Sequence, residues 1–255
     1  VVFATLAIPM ALTARWTSAA WALQGAGMVW PGLRQERRLV RWTGLALLVL
    51  AACAWSVSLW DWNLGSADRF MFNGHALNLA LLTLAWLAGS WFYHRAGRGT
   101  VLQVLLFLGG LGWWSVLGLR EIEVNLSPQF DALHYGGFAL VTAVLAALLR
   151  GPLALPRLSW PLAASVVLML PLSMDSLNHY EQTLFDAPLA FWWLLLAAAL
   201  PTLAALRQPP SRALPIAHIA WLSAVAMALG VTLSRVLGDR AGLAEIQRGP
   251  EGAAG

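Results

Sequence analysis

Apolar residues in this chain run in blocks of about 20, separated by short links that carry arginine or acid, and about 20 such residues are what one helix needs to cross a bilayer. Strands are not viable in that setting unless they close into a barrel, because their backbone donors and acceptors would be left unpaired in lipid. The blocks lack the two-residue alternation of barrel strands, so the spacing predicts helices. Composition agrees: of 255 residues, 59% are hydrophobic and 11% charged, where a soluble domain carries about 25% charged residues. The fold class expected is therefore all-α, a polytopic transmembrane helix bundle of about nine spans. The candidate runs are Val1 to Ala14, Ser18 to Leu33, Trp42 to Trp60, Gly74 to Tyr93, Thr100 to Leu119, His134 to Leu149, Leu158 to Met174, Pro188 to Leu206 and Pro215 to Ser234.

The first two runs are short and are joined only by Arg15, Trp16 and Thr17, so they read as a tight helical hairpin or as a first span whose beginning is missing. The chain opens on Val1 inside an apolar run, with no basic region ahead of it, which is the expectation for part of a longer membrane protein. Residues 1–235 are read as one bundle. Residues 236–255 mix glycine, charge and small residues without periodicity and are read as a flexible tail. Pro9, Pro171 and Pro201 fall within spans, where the missing N–H predicts local kinks. The lone cysteine, Cys53, lies in an apolar run and has no partner for an intrachain disulfide.

All 16 basic residues are arginine, and their placement is directional. Alternate links hold Arg34, Arg37, Arg38 and Arg41, then Arg95 and Arg98, then Arg150 and Arg157, then Arg207 and Arg212, opposed only by Glu36. The intervening links hold Asp61, Asp68, Glu121, Glu123, Asp131, Asp175, Glu181 and Asp186 against Arg15, Arg69 and Arg120. By the positive-inside rule the first set faces the cytoplasm. The expected location is the bacterial inner membrane, multi-pass, with a cytoplasmic amino end. Arginines at span ends meet lipid headgroups, so the net charge of +4 implies the bilayer as partner, with room for other membrane proteins, and no nucleic acid.

Fifteen tryptophans are the other outlier. Trp16, Trp30, Trp42, Trp60, Trp62, Trp91 and Trp160 mark span ends, as an interfacial belt requires. The pairs Trp113-Trp114 and Trp192-Trp193 lie about a turn inside the outer boundary. They either anchor the spans or wall a substrate-binding groove.

The chemistry-bearing residues gather in the extracytoplasmic links. Asp131, His134 and Tyr135 stand at i, i+3 and i+4, and Asp175, Asn178, His179 and Gln182 at i, i+3, i+4 and i+7, so each set shares a helical face. A carboxylate beside an imidazole orients it and raises its basicity, or helps to hold a divalent ion. Acidic loops on that side of a membrane contain such residues without any site, and no metal-ligand motif or cofactor-binding motif is present, so no metal and no cofactor is expected. Glu121 closes the fifth span within Arg120-Glu121-Ile122-Glu123, one turn from Asn125. It either pairs with Arg120 in the headgroup layer or meets His134 or His179 across the bundle. The candidate catalytic set is Glu121, His134, Asp175 and His179. A transporter would instead use an interior path through His75, Asn78, Gln24 and Gln103, with His75 and Asn78 as substrate ligands. No Asp or Glu falls near a midplane, which lowers the weight of ion coupling. Gly109-Gly110 is read as a helix-packing site.

The stretch from Arg15 through Trp30 to Gly32-Leu33-Arg34-Gln35, the Phe72-Asn73-Gly74 opening of a span, the Trp113-Trp114 and Gly118-Leu119-Arg120-Glu121-Ile122 ending of another, and Pro188-Leu189-Ala190 before a Trp-rich span resemble the bacterial predicted membrane proteins catalogued as domain of unknown function 2339. Gln24 stands where that family often has Glu. The resemblance implies a long multi-span membrane protein and no particular reaction. The expected function is an integral membrane protein of unassigned activity, either an assembly or scaffold component of the cell envelope, an enzyme acting on a lipid-linked or periplasmic substrate at the extracytoplasmic face, or a transporter of a small or lipidic solute.

Overall fold

A computed structural model describes residues 14–58, 69–179, 187–207 and 214–247. Among these residues the chain is helical, with no strand. The helices are α1 (Ala14–Arg34), α2 (Arg38–Ser58), α3 (Gly74–Arg95), α4 (Thr100–Asn125), α5 (Asp131–Leu153), α6 (Ser159–His179), α7 (Ala187–Ala198), α8 (Leu200–Arg207) and α9 (Leu214–Gln247). Single 3-10 turns at Pro128–Phe130 and Pro156–Leu158 start at prolines and lead into α5 and α6. Residues 38–57, 74–95, 100–125 and 133–153 are long and apolar enough to cross a membrane, and Leu214–Gly230 is a shorter apolar segment. The described residues thus hold four candidate spans where about nine were expected from apolar run length.

Several boundaries differ from the sequence reading. Arg15, Trp16 and Thr17 lie inside α1, ahead of the start expected at Ser18; a helix satisfies its own backbone, and none of the three breaks it. The seat of the chain here is fixed by Ser18, whose hydroxyl donates to the Ala51 carbonyl of α2 at 2.9 Å. The fifth span continues past Leu119 to Asn125 and stops only ahead of Ser127-Pro128. The last helix runs past Ser234 as far as Gln247. Pro201 marks the break between α7 and α8 at Ala199, as a residue without an N–H requires. The run from Val1 through Leu12 lies outside the described residues.

The chain divides into two units, Val1–Leu126 and Ser127–Gly255. In the first, α1 and α2 form an antiparallel hairpin whose backbones touch. A Cβ added at Gly25 would lie 2.8 Å from the Gly44 carbonyl oxygen, and one at Gly32 would lie 2.7 Å from the Arg41 nitrogen. Small residues permit this approach, which in lipid replaces the hydrophobic drive as a source of helix association. α3 and α4 form a second antiparallel hairpin, closed by Gly109 against the Trp86 ring and Gly110 against Leu87; the expected packing role of that glycine pair is realised. α1 packs on α3, and Ala22, Val29, Leu48, Trp55, Leu79, Leu82, Tyr93, Leu106 and Leu117 build the shared core.

The second unit joins α5 to α6 and α6 to α9. Its core contains Ala139, Leu196, Ala224 and Ala228, with Trp193 and Trp221 packed on it. The Trp221 indole donates to the Leu196 carbonyl at 3.0 Å, and that of Trp193 to the Thr232 hydroxyl at 3.3 Å. Both units turn large apolar side chains outward, among them Leu39, Val57, Leu84, Val101, Leu148 and Ile219, while Ser18, Asn78, Thr83, Ser90 and Gln103 are buried. Water would penalise that arrangement and a bilayer accepts it, because helix faces toward lipid need no polar cover.

Candidate functional site

At about 1.5 Å per residue the first 20 residues of α4 cover a hydrocarbon core, which puts the final turns, with Arg120 and Glu121, at the edge of the apolar layer. Glu121 is 1% exposed and Arg120 6%. A carboxylate so enclosed is tolerable only if its oxygens are satisfied, and they are. Oε1 accepts from Asn73 Nδ2 at 2.8 Å and from Arg120 Nη1 at 3.2 Å; Oε2 accepts from the Met71 backbone N–H at 2.8 Å and from Asn125 Nδ2 at 3.2 Å. Two donors on each oxygen fill the roughly four acceptor positions of a carboxylate.

The segment that leads into α3 supplies two of those donors. Asn73 is the N-cap of α3, its backbone extended and its Oδ1 accepting from His75 N at 3.0 Å and Ala76 N at 2.8 Å. Its Nδ2 is left to face Glu121, so one amide both starts a helix and binds the acid. Met71 has φ of 60°, a left-handed conformation that costs a side-chain-bearing residue about 1–2 kcal/mol. That geometry directs its N–H at Glu121. Phe72, between them, is 87% exposed, as suits an aromatic ring at a membrane interface.

Of the two alternatives read from the sequence for Glu121, the Arg120 ion pair is present. Glu123 is exposed and Asn125 reaches back one turn to the same carboxylate. Asn73 and Met71 were not among the sequence candidates. An Asn just ahead of Gly74 at the mouth of an apolar run carries the N-cap signal, but its second bond spans 48 residues, which no local pattern encodes.

The remaining candidates are placed as follows. Asp131 opens α5 and His134 lies in its first turn, its ring edge-on to Phe130 at 6.4 Å between centroids. Asp131 and His134 make no ion pair with each other among the described residues, and no three His, Cys, Asp or Glu side chains there cluster as a metal site would need. Asp175 and His179 lie in the last turns of α6, and their side chains, with that of Trp192, lie outside the described residues. Trp113 packs edge-on against the buried Trp55 at 5.4 Å and 76°, and Trp114 is half-buried on the same helix. Asn78 is fully buried beside the His75 turn. Gln103 sits near the other end of the α3–α4 hairpin, where its carbonyl accepts from Ser90, twelve residues or about 18 Å of helix from Asn78. Leu79, Leu82 and Leu106 fill the core between those levels.

A chain whose described residues form helices and no strand, with buried polar contacts, outward apolar faces and candidate spans, is a helical integral membrane protein. Residues 1–97 match the family model described as "Predicted membrane protein (DUF2339)", the family that the motifs resemble. The match includes Asn73 and Met71 and stops short of Glu121. No curated protein and no solved structure matches the chain.

Proposed function

We propose that this membrane protein is an assembly or scaffold component of a bacterial cell envelope, seated in the inner membrane with its amino end in the cytoplasm, and that Glu121 ties the chain together instead of reacting. The observation that carries this reading is the saturated carboxylate. A general base must accept a proton from substrate and a nucleophile must offer a lone pair, and four donors already occupy the Glu121 oxygens. The orientation is supported by the arginine-rich turns of the first unit, where six arginines at positions 34, 37, 38, 41, 95 and 98 meet one glutamate.

The test is complementation of a strain lacking the gene, with membrane level and melting midpoint measured for each variant. A tie predicts that Glu121→Gln lowers the midpoint, and that function is recovered in proportion to the folded protein present. Loss of function at unchanged level and midpoint would assign Glu121 to catalysis and overturn the proposal. Reporter fusions at residues 96–97 and 180–186 should report cytoplasm and periplasm respectively, and the reverse would overturn the orientation.

A further inference from the structure

Where the α1–α2 turn meets the α3–α4 turn, the first unit opens a cleft of about 400 Å³ lined by Trp30, Arg34, Glu36, Trp91, Arg95 and Arg98. Its arginines are not equivalent. Arg98 is paired with Glu36 across the two turns. Arg34 and Arg95 have no carboxylate partner among the described residues. Each instead lies over an indole ring, Arg34 at 5.7 Å from the Trp30 centroid and Arg95 at 5.2 Å from that of Trp91. Stacking on an aromatic face fixes the plane of a guanidinium while leaving its five N–H donors free.

Helix dipoles do not decide the sign of this cleft. The carboxyl ends of α1 and α3 bring partial negative charge to it, and the amino ends of α2 and α4, at Arg38 and Thr100, bring the same amount of positive charge. The field is therefore set by the side chains, three arginines against one glutamate. Leu33 and Phe92 add apolar wall. The size is that of a small-ligand site, and forked donors held in one plane suit the oxygens of a phosphate.

We propose that this cleft binds a phosphate-bearing anion, gripped by Arg34 and Arg95, and that the phosphodiester of an anionic phospholipid is its source. The apolar wall, and the position of the cleft at the basic ends of helices that face lipid, favour a headgroup over a free ion. General attraction of anionic lipid to a basic surface would spread over all exposed arginines. This site instead depends on the two that stack on tryptophan.

The test uses the full chain in neutral detergent, titrated with phosphatidylglycerol or phosphatidylcholine and read by native mass spectrometry. Phosphatidylglycerol should be retained over phosphatidylcholine, and Arg34→Gln and Arg95→Gln should each weaken it about fivefold. The double variant Arg37→Gln with Arg38→Gln, outside the cleft, should bind within about twofold of wild type. Failure of millimolar inorganic phosphate to displace the lipid supports the headgroup. Displacement at equal affinity supports the phosphate site but assigns it to a soluble anion. A photoactivatable phosphatidylglycerol on the unaltered protein should crosslink to residues 30–36 and 91–98. Wild-type binding by both cleft variants, equal weakening by all four substitutions, or crosslinks elsewhere only would overturn the proposal.

Discussion

Substitutions at Asn73 separate a helix cap from an interhelical tie. Its Oδ1 caps α3 through His75 N and Ala76 N, and its Nδ2 donates to Glu121 Oε1 at 2.8 Å. Losing an N-cap side chain costs about 1 kcal/mol, and losing a hydrogen bond to a buried charged group costs about 1.5–3 kcal/mol. Asn73→Ala loses both, so it should cost about 2.5–4 kcal/mol, or about 5–15 °C in melting midpoint for a chain of this size. Asn73→Asp is the decisive variant. Asp caps as well as Asn does and suits the helix amino end, so a cap alone predicts no loss. The tie predicts a loss at least as large as that of Ala at neutral pH, because a second carboxylate oxygen then stands about 2.8 Å from Glu121 where a donor was. Thermal melts of the detergent-solubilised chain, followed by near-ultraviolet circular dichroism, measure both. An Asn73→Asp midpoint at or above wild type would refute the tie.

Other outcomes follow from the same structure and are read by the same melts. Gly25→Leu and Gly44→Leu should each cost more than about 2 kcal/mol, since a side chain there meets backbone atoms of the facing helix; Gly27→Ala, with nothing near, should gain about 0.5–1 kcal/mol. Unchanged melting in the first two would mean that α1 and α2 do not touch there. Met71→Gly keeps the N–H that binds Glu121 and relieves the positive φ, so it should leave the midpoint level or raise it, whereas a drop would place the value of Met71 in its side chain. Trp55→Ala, at a residue 1% exposed, should cost about 3–5 kcal/mol through the cavity it leaves, and a loss below 1 kcal/mol would show that Trp113 and its neighbours collapse into the space.

Apolar run length and charge sorting made the membrane class legible from residue order, and they placed the starts of α3 and α4 at Gly74 and Thr100. The bilayer makes this possible. It asks each segment separately to be apolar for about 20 residues and to satisfy its own backbone, and both are local properties. The same rule put the start of α1 at Ser18 and the end of α4 at Leu119, both too short, because polar residues end an apolar stretch without ending a helix. The candidate site was half legible. Glu121 and its Arg120 and Asn125 neighbours stand close in sequence, and the pair of readings for Glu121 included the ion pair that is present.

What only the tertiary structure decided is how the acid is satisfied. Met71 and Asn73 lie 50 and 48 residues from Glu121, and they reach it because the α3–α4 hairpin is packed in one register, with Gly109 and Gly110 against Trp86 and Leu87. The packing of α1 on α3 brings the two basic turns together, where Arg34 and Arg95 line one cleft. The order of residues set which segments enter lipid, since a bilayer tests segments one at a time. Which polar groups then meet depended on helix contacts between distant parts of the chain, and those are set by close packing that no single segment contains.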